Sequence, residues 1–342
     1  MKEFGSDFHF ILPAERTSAH LTELFAGPTL LADGRQCIVA LIRENGWRRI
    51  WMPDYFCYEV IETIRKQTGI EVLFYEDNPL TEGNVEALPF LSGDVLLRMN
   101  FFGMRAFRSN AGLPVPVVED HSHDLLGPWA QNSDADWCIA SLRKSLPVPE
   151  GGMIWSPKGH ALPAVSASSE ENERVASIRW EGMEMKAGYL RGEDVRKDLF
   201  REKFTGTEDW FDQAEPTLLD ARSQRYLSGQ LDVQVWNNRK RENWQVLKES
   251  VLERGCEVLA PEQDSCSMFS LILLMKDHEQ RDQVRRHLIA NAVYPAILWS
   301  LPDTASAKSK GFSDRMLSIH CDGRYAEGDM IQLADIINRI VS

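Results

Sequence analysis

The sequence has little of what would place it in several large classes. It carries no Lys/Arg run of useful length, and its formal charge is −13 at pH 7. Phosphate backbones select basic faces, so no nucleic-acid partner is expected. No window approaches the roughly 20 apolar residues of a membrane span. The opening MKEFGSDFHFILPAERTS holds an apolar stretch of only about four residues, broken by Pro13 and charges, too short for the core of a secretory signal. The six cysteines, Cys37, Cys57, Cys138, Cys256, Cys266 and Cys321, form no CxxC pair. Free, mostly buried thiols in a reducing cytoplasm fit that scatter best. Internal repeats and low-complexity tracts are also missing. What remains is an ordinary globular composition, 43% hydrophobic and 26% charged over 342 residues. That length exceeds one usual core, so two domains, or one large domain with a smaller partner, are expected.

The richest stretch runs from Val117 to Ser156. Val115 to Val118 form a short apolar run that ends in Glu119-Asp120, and Trp137 to Ala140 form a second that leads into Ser141-Leu142-Arg143-Lys144. Short, fully apolar runs read as buried parallel strands. In an open α/β sheet the ligand crevice lies beyond the carboxyl ends of the strands, so Asp120 and Lys144 point into one cleft. A lysine among apolar neighbours can have its ammonium destabilised until the free amine is nucleophilic, as Schiff-base chemistry requires. A competing reading takes Asp120, His121, His123 and Asp124 as metal ligands, because imidazoles two apart on an extended strand face the same side. The remaining histidines show no ligand-like spacing, and that reading leaves Lys144 without a role.

Upstream, Gly34 precedes CIVALIREN, whose apolar spacing at Ile38, Leu41 and Ile42 and closing Gly46 describe a helix. Amide groups at such a helix start make an anion site, so a phosphate could rest on Gly34, Arg35 and Gln36. Then RRIWMPDYF ends a strand at Pro53, YEVIETIRKQTG is an amphipathic helix, and EVLFY, VLLRMN and PVPVV are strands. Alternation of this kind predicts a parallel, doubly wound sheet. After GGMIWS the chain turns charged and helix-prone; Glu208 to Leu219 and Gln234 to Glu253 continue as helix. A final segment alternates strand (Met268 to Met275), helix (Glu279 to Ala290), strand (Met316 to His320) and helix (Asp329 to Ile340).

An acidic-Asp-x-x-His strand end, followed by a Lys and six residues later by Glu-Gly-Gly, resembles the DegT/DnrJ/EryC1/StrS group of pyridoxal-phosphate (PLP) aminotransferases. Glu119, Asp120, His123, Lys144, Glu150, Gly151 and Gly152 carry the resemblance, which extends over nearly the whole chain. It implies an α/β protein of fold type I, with an N-terminal arm (1–30), a large PLP-binding domain with a mostly parallel sheet and a helical connector (31–235), and a small C-terminal α/β domain (236–342). The implied cofactor is pyridoxal 5'-phosphate. Lys144 would hold it and move the substrate proton, and Asp120 would pair with its ring nitrogen. His121 or His123 would contact the ring, and Tyr55 or Phe56 would stack on it, because Cys57 stands where the family most often has an aromatic. Gly34, Arg35, Gln36 and Ser141 would hold the phosphate, with Ile139 replacing the usual Ser. Asn100 would line the cleft. Arg143, Tyr294, Trp299 and Arg324 would meet the substrate. The implied reaction moves an amino group from an amino acid, with glutamate the expected donor, to a nucleotide-linked keto-sugar in polysaccharide or lipopolysaccharide biosynthesis. A twofold dimer in the cytoplasm is implied as well, with Ser228 and the segment 222–230 near the shared cleft. Another PLP reaction of the lyase or desulfurase type, or a non-catalytic sugar-nucleotide-binding descendant, is the alternative.

Overall fold

In the computed structural model, which describes residues 2–341, the chain opens with a two-residue strand, β1 (Phe4–Gly5), and reaches β2 (Thr29–Leu31) through an irregular arm. The next elements are α1 (Gly34–Asn45), β3 (Arg49–Pro53), α2 (Tyr58–Thr68), β4 (Glu71–Tyr75), β5 (Asp94–Met99) and β6 (Val117–Asp120). They are followed by α3 (Pro128–Asn132), β7 (Trp137–Ser141), α4 (Leu142–Ser145) and β8 (Gly152–Trp155). Both α1 and α2 stop where the sequence places glycine: Gly46 and Gly69 take φ of 62° and 69°, the left-handed conformation that ends a helix cheaply only without a Cβ.

Seven strands form one sheet in the order β2-β8-β7-β6-β5-β3-β4. The five strands from β4 to β7 run parallel; β8 is antiparallel to β7, and β2 is antiparallel to β8. An apolar run carries no sign of its direction, so the reversal of β8 is not legible in its residues. Strand pleating sends Ile50 and Met52 to one core and Trp51 to the other, and β5 repeats the pattern with Val95 and Leu97 against Leu96. Both faces are therefore covered, as a doubly wound sheet requires.

Beyond β8 come the long antiparallel pair α5 (Glu170–Arg191) and α6 (Lys197–Gln213), then α7 (Ala221–Gly229) and α8 (Val233–Ser250). The expected helix from Glu208 to Leu219 stops at Gln213. Pro216 has no N–H and biases Glu215 away from helix, and the chain beyond runs extended, with Thr217 beside Ser166 and Leu218 beside Leu31. The last third holds β9 (Glu257–Val258), β10 (Leu271–Leu274), α9 (His278–Ala290), β11 (Val293–Tyr294), α10 (Ala307–Ser313), β12 (Met316–Ile319) and α11 (Glu327–Val341). Here β12-β10-β9 make a small antiparallel sheet, while β11 pairs in parallel with β1 of the arm. No helix among the described residues is long and apolar enough to cross a membrane.

Candidate functional site

The carboxyl ends of β6 and β7 lie side by side, with Asp120 in register opposite Ile139. Lys144 follows immediately on α4. Because β8 runs back, it starts at this same edge, with Gly152 opposite Ser141. A Cβ on Gly152 would collide with the Asp33 carbonyl and Cys37 Sγ, and one on Gly34 would come 2.7 Å from Ser141 Cβ. Bare backbone at these two positions lets the start of α1 close onto the ends of β7 and β8. The buried Glu150 carboxyl accepts the Asp220 N–H at 3.0 Å. Burial, with the adjacent Asp220 carboxylate, pushes its pKa well above the carboxylate range. The Glu-Gly-Gly motif thus docks the lysine loop onto α1 and α7.

At this edge lies a cavity of ≈ 200 Å³ lined by Asp120, Ser141 and Lys144 on the strand side and by Gly34, Arg35 and Phe56 opposite. Cys57, Arg143 and Trp299 complete the part of the wall foreseen from sequence. The Lys144 ammonium lies over the Trp299 ring, 4.9 Å from its centre, a cation–π contact. Asp120 is buried, and one of its oxygens accepts the Ser122 N–H at 2.8 Å. Ser122 Oγ accepts the Ser141 N–H at 2.8 Å, tying the two strand ends together. Lys144 and Arg143 also line a second cavity of ≈ 200 Å³ that is walled by Ser6, Asp7 and Phe8 of the arm and by Leu298.

The two histidines of this strand end are separated by the structure. His121 sits between Asp124 (2.8 Å) and Glu119 (3.1 Å). Burial alone would lower its pKa, but the Asp124 and Glu119 carboxylates prevail and raise it well above the ordinary value. Glu119, His121 and Cys138 are also the one trio among the described residues close enough to share a metal ion. Both ring nitrogens of His121 already meet carboxylates, so the trio reads as an internally satisfied charge cluster. His123 instead stacks on Phe269 (4.5 Å), Phe102 (5.2 Å) and Trp299 (5.4 Å). Its Nδ1 accepts the Phe102 N–H at 3.2 Å, which assigns the proton to Nε2. That Nε2 is buried and has no hydrogen-bond partner among the described residues. Burial, helped by Lys144 and Lys240, holds the His123 pKa well below normal.

At the other end of the first cavity the chemistry is ionic. Asp33 caps α1 through a 2.5 Å bond to the Gly34 N–H. Arg35 pairs with Asp33 and with Asp212. Glu208, from α6, receives two bonds from Arg143 (2.5 and 3.1 Å) and one from Arg179 (3.1 Å), with Arg35 at 3.8 Å. Burial opposes ionisation of Glu208, but Arg143 and Arg179 win and bring its pKa down to about 2. Burial and the neighbouring Arg143 charge depress Arg179.

Several expected residues lie elsewhere. Gln36 accepts the Thr217 N–H at 3.2 Å and is not part of the cavity wall. Tyr55 is buried with its hydroxyl on the Leu298 carbonyl, so Phe56, not Tyr55, reaches the cavity. Asn100 bonds Asp124 (2.8 Å) and the Arg105 carbonyl (3.1 Å). Tyr294 hydrogen-bonds Lys197 at 2.8 Å. Arg324, expected to meet a substrate anion, pairs with Asp322 and donates to the carbonyls of Gly5, Ser6 and Asp7, clasping the arm. Asp322, two residues earlier, is the reason: its carboxylate draws the guanidinium inward. Ser122, Asp33, Arg179, Glu208 and Asp212 were not anticipated. Ser122 could have been found as the residue between the two histidines; nothing local marks Glu208 or Asp212.

No family model matches the sequence, and no curated protein matches it either. Solved structures do. PseC of Helicobacter pylori, an aminotransferase involved in the biosynthesis of pseudoaminic acid, superposes with a TM-score of 0.61 at 11% identity, covering 99% of each chain. DesI, in the presence of its TDP-sugar product, gives 0.60 at 13% identity over 99% of this chain and 94% of its own. A DegT DnrJ EryC1 StrS aminotransferase from Brucella abortus gives 0.57 at 13% identity over 96% and 92%. The fold of this chain is therefore that of these aminotransferases, over at least 92% of each of them.

Proposed function

We propose that this chain is a PLP-dependent aminotransferase acting on a keto-sugar, with a nucleotide-linked acceptor and an amino acid, glutamate foremost, as donor. The observation that carries the reading is the convergence of Asp120 and Lys144 on one cavity, at strand ends whose spacing resembles that of the sugar aminotransferases. The residues present fit the cofactor: a buried carboxylate at one end of the cavity and an amine beside it. Bound PLP would supply an electron sink for chemistry at the carbon bearing the amino group. Asp120, fixed by the Ser122 N–H, would hold the proton of the pyridine nitrogen. His123, expected to contact the ring, is not part of the cavity wall; it stacks on Trp299, which is, and would hold that indole in place. Lys144 Nζ would anchor the cofactor and then carry the proton to and from the substrate carbon. Trp299, its ring centre 4.9 Å from the Lys144 ammonium, would hold that side chain in place. Arg143, shared by both cavities, would orient an anionic group of the cofactor or the substrate.

A homodimer, with the segment 222–230 near a shared cleft, and a place in polysaccharide or lipopolysaccharide biosynthesis in the cytoplasm belong to the same reading. The test is borohydride reduction after incubation with PLP, followed by peptide mapping. Wild type is expected to carry a stable pyridoxyl label on Lys144 and to exchange amino groups with glutamate; Lys144→Ala is expected to do neither. Absence of label from the wild-type protein would sink the proposal.

A further inference from the structure

Three guanidinium groups from three different elements converge on one carboxylate. Arg35 comes from α1, Arg143 from α4 and Arg179 from α5, and all meet Glu208. Arg35 and Arg179 are buried and Arg143 half-buried, with side chains 6%, 4% and 21% exposed, whereas Glu208 is 40% exposed and Asp212, the other partner of Arg35, 42%. Nε of Arg35 and Nε of Arg143 are both buried without a hydrogen-bond partner among the described residues. Arg35 lies 2.9 Å from Asp33, but in a geometry that makes no hydrogen bond. A rigid buried cluster of donors is thus closed by mobile-length acidic side chains from the solvent side, which is the charge pattern of an anion site occupied by an internal stand-in.

We propose that Arg35, Arg143 and Arg179 form a phosphoryl-binding cradle and that Glu208 is the counter-ion a phosphate displaces on binding. The inference rests on the cofactor reading above for its first ligand, the phosphate monoester of PLP, since Glu208, Arg35 and Arg143 line the Asp120–Lys144 cavity. It goes beyond that reading in assigning the phosphate to guanidinium groups. Asp33 already occupies the Gly34 amide at the helix start, Gln36 is outside the wall and Ile139 offers no hydroxyl, so Ser141 is the uncharged donor left beside the guanidinium groups. A phosphate dianion brings more acceptor oxygens and more charge than the carboxylate it replaces, so the exchange satisfies the Nε donors that Glu208 leaves unpaired. Arg143 and Arg179 also line the second cavity, so a nucleoside diphosphate is the other source of the same chemistry.

The experiment compares full-length wild type with Glu208→Gln, which keeps the side-chain shape and removes the charge. Dissociation constants are measured by calorimetry for inorganic phosphate, PLP, pyridoxal and uridine diphosphate. Glu208→Gln is expected to bind phosphate and PLP about tenfold more tightly, the worth of one charge-assisted contact, with pyridoxal unchanged. Tightening for uridine diphosphate and phosphate, but not PLP, would assign the cradle to the acceptor. Tighter phosphate binding with no label on Lys144 would uphold the cradle and remove the cofactor reading. Glu208→Ala must move the same way, which guards against an effect of the new amide. A lowered melting temperature in both variants with every affinity unchanged would overturn the proposal and leave Glu208 a structural ion-pair partner.

Discussion

His121 and His123 are two residues apart, both buried, and held in opposite states. The first lies in an acidic box made by Glu119 and Asp124, the second in an aromatic stack of Phe102, Phe269 and Trp299. Burial penalises the charged form of both. In the box two carboxylates overcome that penalty; in the stack nothing does, and nearby Lys144 and Lys240 add to it. The difference teaches that the spacing of polar residues along a strand end says little about their charge. What packs on them from elsewhere decides it, and only the neutral histidine is left with an N–H that has no partner among the described residues.

The strongest way to break the comparison is to empty the box. His121→Leu leaves Glu119 and Asp124 buried without their shared cation, and such a change is expected to cost about 3–5 kcal/mol of unfolding free energy in chemical denaturation. A loss below about 1 kcal/mol would mean that the carboxylates are satisfied by Asn110, Ser133 and Asn100 alone.

The pH dependence sharpens it further. Stability rises with pH wherever the unfolded chain binds more protons than the folded one. His123, depressed in the fold, leaves the unfolded chain the only one to take its proton below about pH 6.5, so it contributes a loss of stability as pH falls. His121, raised in the fold, stays protonated above about pH 6.5 where the unfolded chain has released its proton. Its contribution is full below that pH and is lost as pH rises toward the folded value. His123→Phe is therefore expected to flatten the acid limb of the stability profile below pH 6.5 and leave the alkaline limb, while His121→Gln does the reverse; denaturation midpoints between pH 5 and 9 read both. The smallest expected effect is Asp124→Asn, which keeps an acceptor for His121 but removes one charge. The His121 titration, followed by imidazole NMR shifts, should move to lower pH with only about 1 kcal/mol lost.

Much of this was legible in the sequence. Strand ends and helix stops follow from periodicity and glycine, and the placement of Asp120 and Lys144 at one edge follows from two short apolar runs that pair in parallel. The ionic end was not legible. Glu208 and Asp212 sit on α6, and Glu208 lies 29 residues from Arg179 and 65 from Arg143 in sequence; an acidic residue on a charged helix looks like any solvated one. Arg324 was misread for the same reason in reverse: a Gly-Arg turn looks exposed until Asp322 and the arm carbonyls surround it. Gln36 and Tyr55 share helix and strand ends with residues that do reach the cavity, and a rotation of one position on the element separates them from it.

The clasp on the N-terminal arm has a consequence for how such a protein can diverge. Arg324 and Lys186 grip the arm through main-chain carbonyls of Gly5, Ser6 and Asp7, atoms every residue possesses. Phe8 adds a side-chain anchor, lying 4.4 Å under the Arg324 guanidinium and edge-on to Trp236, whereas Ser6 and Asp7 present their side chains to the cavity beside Lys144. Substitution at Ser6 or Asp7 can therefore reshape that cavity wall while the main-chain anchoring of the segment is inherited unchanged.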